Sequence, residues 1–307
     1  ANNDFIESLN TFIDDGVLPV NDKCMVISAL TLNIFERFDA KKILFLLDVC
    51  RSPQTEVAIR ATIGIIPIFQ IYRRRCPLYP ELSNRLKLLS DNIGFNRMFI
   101  KAVTGYIRAH ETEKITKRLN EEIIPEMMKL SPMIGKKIKL DEWMGESGLD
   151  EKNPEWQKIL DESGLTDKLQ EFSNLQMEGA DVFHSTFSNL KNYPFFKELS
   201  NWFLPFDPHH SSVKPMLSGE MKSSTMIESM FETSLICNSD KYSFCFSIML
   251  MPEEYRSMMV GQLGAEGDEI KKLQEEELSL NPNQKQDSII KQYIQDLYRF
   301  FKLHPRN

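Results

Sequence analysis

Apolar residues along the first half of this chain recur at helical spacing, in one segment after another. In "NDFIESLNTFIDDG", Phe5, Ile6, Leu9, Phe12 and Ile13 share one helical face, and Gly16 follows as a stop. "NDKCMVISALTLNIFERF" predicts a second helix with Asp22 as its N-cap, and "DAKKILFLLDVC" a third, capped by Asp39, with Leu44, Leu47 and Val49 among its apolar residues. "SPQTEVAIRATIGIIPIFQIYRRR" predicts a fourth. Ser52 stands as its N-cap, Pro53 at the first helical position and Glu56 near the first turn, where the helix dipole favours negative charge. Pro67 is expected to kink or break it. Further on, Phe95, Met98, Phe99, Ala102, Tyr106 and Ile107 make one stripe, and Thr112 reads as the N-cap of a segment carrying Ile115, Leu119, Ile123 and Met127.

The pattern fades between about 134 and 160, where a charged, Gly-punctuated stretch reads as a long loop and hinge pinned by Trp143 and Trp156. It resumes in the second half. Leu169, Phe172, Gly179, Val182, Phe183, Phe187 and Leu190 follow helical spacing, and "SSTMIESMFETSLICNSDKYSFCFSIML" reads as two helices broken near Asn238, Ser239 and Asp240, with Asp240 as the cap of the second. Ile290, Tyr293, Ile294, Leu297, Phe300 and Phe301 form the apolar face of a closing helix. The organisation expected is a helical-repeat region over 1–133, a charged linker over 134–164 and a second helical region over 165–307 packed on the first. The fold class is all-α, an irregular α-α superhelix with a divergent second half.

Composition agrees. Only 13 of 307 residues are Gly, and 42% are apolar with 26% charged, the balance of a folded globular chain. The net charge of −7 is uneven: residues 1–130 carry 18 Lys and Arg against 16 Asp and Glu, and the remainder 19 against 28. Nucleic-acid binding would want a concentrated basic face, so no nucleic-acid partner is expected. Arg73, Arg74 and Arg75 form the one tight basic run and read as a solvated helix end. Cys24, Cys50, Cys76, Cys237 and Cys245 include no CxxC pair and read as reduced, buried hydrophobes of a cytoplasmic protein. No apolar run reaches the roughly 18 residues of a membrane span, and no membrane partner is expected.

The segment "LFLLDVCRSPQTEVAIRATIGII" resembles a HEAT repeat. Paired leucines (Leu46, Leu47) end the first helix, Pro53 lies in the turn, and Glu56, Val57, Arg60, Ala61, Gly64 and Ile65 follow the pattern of the second. The resemblance covers about 35 residues, Asp39 to Arg73, and implies a stack of helix pairs presenting an extended groove. The end of the chain, where "KLHPRN" follows an amphipathic helix, resembles the opening helix-pair boundary of tetratricopeptide-type arrays, which implies further helices in a longer protein.

Candidate chemistry is thin. Between Tyr193 and His210, "YPFFKELSNWFLPFDPHH" packs eight aromatic or histidine side chains and three prolines into eighteen residues. Pro194 starts a predicted helix through Phe203, whose rings form a hydrophobic plug between helical layers or line a partner groove with Tyr193, Phe196, Trp202, Phe203 and Phe206. Arg51 and Arg60 are the partner-binding candidates of the first half. Asp207, His209 and His210 are the residues here that could ligate a metal, but adjacent histidines diverge and "DPHHSS" reads more simply as a turn. No HExxH, GxSxG or phosphate-cradling loop occurs, so no catalytic residue and no cofactor is assigned. Eight of fifteen methionines fall between Met216 and Met259, as core filler or as an adaptable apolar interface. The function expected is a protein-interaction or scaffold module, its partner another protein or the remainder of a longer chain. The alternative is an enzyme or small-ligand protein with its site between the two halves.

Overall fold

A computed structural model of the chain describes residues 1–118, 187–217, 236–252 and 283–305, together with residues 121, 122 and 125. Among these residues the secondary structure is helical, with no strand. The helices are α1 (Asn3–Asp14), α2 (Val20–Glu36), α3 (Ala40–Val49), α4 (Thr55–Ile71), α5 (Pro80–Ser90), α6 (Ile93–His110), α7 (Thr112–Arg118), α8 (Asn238–Met249) and α9 (Gln284–Leu303). The expected linker at 134–164 lies outside the described residues.

Local chemistry sets most of the boundaries. Asn2 caps α1 by accepting the Phe5 N–H at 3.0 Å, Asp39 caps α3 by accepting from Lys41 and Lys42, and Asn92 caps α6 through the Phe95 N–H. In the first half, three expected caps are displaced. α2 starts at Val20, so Asp22 sits in its first turn and the Pro19 carbonyl takes the first hydrogen bonds. Ser52 accepts the Gln54 N–H at 3.3 Å, which closes a turn around Pro53 and delays α4 to Thr55. Thr112 is the first residue of α7, not its cap, and its hydroxyl is buried without a hydrogen-bond partner.

Pro67 does not end α4, which runs through it unbroken to Ile71. A proline at 67 cannot donate to the carbonyl of residue 63. The Tyr106 hydroxyl of α6 donates to that Ile63 carbonyl at 3.1 Å, replacing the missing bond.

α4 is buried on every side from Val57 to Ile65 because it separates two cores. Val57, Ala61, Ile65 and Ile68 face a cluster built with α1, α2, α3 and α5. Ala58, Ile59 and Ile63 face a second cluster built with α6, the 193–213 segment, α8 and α9. α2 approaches α4 so closely that a Cβ on Gly64 would stand 2.6 Å from the Thr31 hydroxyl oxygen. α9 lies against both α4 and α6. Tyr293 of α9 shares a 3.0 Å hydrogen bond with Ser28, and Arg60 donates to Ser28 at 2.7 Å while its guanidinium rests 4.3 Å from the Tyr293 ring centre.

Candidate functional site

The helix expected from Pro194 through Phe203 does not form as one piece. The segment makes two 3-10 turns, Pro194–Lys197 and Leu199–Trp202. Side chains take up the carbonyls this leaves: the Trp202 indole N–H donates to the Phe196 carbonyl at 2.8 Å, and the Asn201 amide to that of Phe195 at 2.9 Å. Phe196, Trp202 and Phe203 are buried, with Trp202 and Phe203 edge-on or tilted against Phe300 of α9. Tyr193 and Phe206 are half-buried on the same cluster, against Phe246 and Tyr242. These five rings fill the space between the segment, α8 and α9.

Asp207, His209 and His210 are used in a turn. Asp207 accepts the His209 N–H at 2.8 Å, and His210 Nδ1 accepts from Ser212 N–H at 3.2 Å. The His210 ring stands edge-on to Phe195 and Tyr242. Among the described residues no group of three or more His, Cys, Asp or Glu side chains could hold a metal ion.

Asp240, expected as an N-cap, is instead buried in the first turn of α8, where Cys237 occupies the cap position. It binds Arg299 of α9 through Nη2 at 2.6 Å and Nε at 3.2 Å, and Lys191 at 2.8 Å. Lys191 also donates to Ser239 and Ser243. Burial by itself would raise the Asp240 carboxyl, but the two cations outweigh it and hold the group at about 2. Asp296, also buried, accepts from Ser239 N–H at 2.8 Å and from Asn238 at 3.0 Å. Burial lifts its carboxyl above the usual value despite those bonds. Lys191, Ser239, Asp240, Ser243, Asp296 and Arg299 are all buried, so the cluster joins α8 to α9.

Burial also raises all five cysteine thiols, Cys50 and Cys245 to about 12. They are protonated at neutral pH and unsuited to nucleophilic work. A cavity of about 390 Å³ is bordered by consecutive residues from Gln70 to Arg75, at the end of α4. Of the two arginine candidates, Arg60 is buried beneath Tyr293 and Arg51 is exposed.

The surface feature that stands out was not singled out in the sequence. Ile93, Ile100 and Ile107, seven residues apart on α6, are 86%, 64% and 61% exposed. Ile107, expected on the inner stripe, faces outward, because Met98, Ala102 and Phe95 already occupy the buried side. An isoleucine every seventh residue on a helix whose core stripe is complete was the signal available. Of the methionine cluster, Met249 and Met251 retain exposure at the end of α8; Met221, Met226, Met230, Met258 and Met259 lie outside the described residues. No described helix is long and apolar enough to cross a membrane. Comparison with family models, with curated proteins and with solved structures finds no match to the chain.

Proposed function

We propose that this chain is a protein-interaction module of the helical-repeat kind, with α3 and α4 as a HEAT-like pair and its partner another protein. The observation that carries the reading is the line of three exposed isoleucines on α6. Three large apolar side chains held in line on one face of a folded helix are costly to leave in water and support a docking face there. The region between the two halves is filled by packed rings and by the Arg60–Ser28–Tyr293 contact, which favours interaction over a ligand site there. The test compares proteins captured from a native lysate by the wild-type chain and by an Ile100→Asp/Ile107→Asp variant. The reading expects a defined set retained by the first and lost by the second. Identical sets, or none above control, would end it.

A further inference from the structure

The isoleucine line has a direction and a charged border, and these describe what it fits. At 3.6 residues per turn, Ile93, Ile100 and Ile107 lie within about 40° of arc on α6. They are opposite Met98 and Ala102, which are buried against α4 and α9. The line runs about 21 Å along the helix, at 1.5 Å per residue. On one side of it stand Arg97, Lys101 and Arg108; on the other stand Asn96 and Val103, without charge. Arg97 and Lys101 share a single carboxylate, Asp287, at 3.7 and 3.0 Å, and Arg108 reaches Glu111 at 3.4 Å. The two pairs to Asp287 are partly exposed and of the kind worth about 0–1 kcal/mol, so an incoming anion can share Arg97 and Lys101 at little cost.

Resting on the interaction reading above, we infer that this face of α6 receives an amphipathic helix of a partner protein, about four turns long, with apolar residues at seven- and three-to-four-residue spacing and a row of Asp or Glu along one edge. Helix-on-helix docking matches a straight apolar line better than an extended peptide does, because its anchors recur with the same period. The charged border argues against a second copy of this chain. An antiparallel pair centred on Ile100 would lay the cationic edge of one α6 along the cationic edge of the other, with Lys101 facing Lys101. A parallel pair would set each cationic edge against Asn96 and Val103, which offer it no anion. An acidic helix supplies both the apolar contacts and the opposite charge.

The experiment uses the full chain and two synthetic 21-residue helical peptides with leucine at the a and d heptad positions. One carries glutamate at the flanking positions, the other lysine. Binding is read by fluorescence anisotropy, with sedimentation of the chain alone in parallel. The inference expects the glutamate peptide to bind at least about tenfold more tightly than the lysine peptide. It also expects Ile100→Asp to weaken that binding by about tenfold or more. The side chain at 100 is exposed, so the variant should melt as the wild type does. Equal binding of the two peptides, no binding of either, or insensitivity to Ile100→Asp overturns the inference. A wild-type dimer that becomes monomeric with Ile100→Asp also overturns it, by showing that the face closes on a second copy. If the peptides fail while lysate capture still depends on Ile100 and Ile107, the interaction reading stands and only the acidic helix falls.

Discussion

Asp240 carries more of this structure than any surface charge, because its partners Arg299 and Lys191 are buried with it. Replacing it with Asn leaves two buried cations short of a counter-charge. Asp240→Asn should cost about 3–5 kcal/mol at pH 7, measured by denaturant unfolding. The pH dependence has a definite sign. The folded carboxyl sits at about 2, below its unfolded value of about 3.9. Its stabilisation is therefore complete above that unfolded value and drains away as pH falls toward 2, so the gap between wild type and Asp240→Asn should narrow over that window. Asp296 is raised and behaves oppositely: its contribution favours the folded state at low pH and is lost as pH rises. Asp296→Asn should accordingly compare worse with wild type at pH 3 than at pH 7. Two glycines separate just as clearly. A Cβ at Gly64 meets the β-branched, buried Thr31 at 2.6 and 2.9 Å, whereas at Gly105 it meets the flexible Cδ1 tip of Ile294 at 2.6 Å. Gly64→Ala should destabilise by about 1–3 kcal/mol. Gly105→Ala should fall within about 1 kcal/mol of neutral, since Ala regains helix propensity. Equal melting temperatures for the two variants would contradict the packing described for α2 and α4.

At the scale of elements, α4 shows how a proline is kept inside a helix. The Tyr106 hydroxyl answers the Ile63 carbonyl that Pro67 cannot reach. Tyr106→Phe should cost about 1–2 kcal/mol. In a Pro67→Ala background the restored N–H takes over that carbonyl, so the loss should shrink, with a coupling above about 0.5 kcal/mol in a double-mutant cycle. Additive effects would refute the pairing. The helical period placed most elements of the first half, and Asp39 announced its cap outright. The displaced starts of α2 and α4 have a common cause: Asp22 and Ser52 have the right chemistry for a cap, but a neighbouring proline set the backbone at each boundary. Pro194–Phe203 had the right apolar face for a helix, yet it turns twice, and the Trp202 and Asn201 side chains make the hydrogen bonds to the Phe196 and Phe195 carbonyls that an α-helix would have made internally.

For the whole molecule, α9 closes the structure, since its apolar face completes the cluster that α4 and α6 leave open. Amides of α4 and α9 should therefore exchange with solvent through the same global opening, and α1, mostly exposed, should exchange sooner. Exchange of α9 far ahead of α4 would mean that the two do not share a core. The sequence by itself determined that the chain is helical and where most of its first-half helices run, because propensity and period act over a few residues. Which polar residues go inside was decided only in three dimensions. Arg299, Asp296, Gln292 and Gln295 mark a solvated face by every local rule, yet they are buried, Arg299 against Asp240, 59 residues away. The exposed isoleucines of α6 have the same origin. A face is interior or exterior according to what the rest of the chain lays against it, and α4, α5 and α9 pack on α6 where Phe95, Met98 and Ala102 join the two cores.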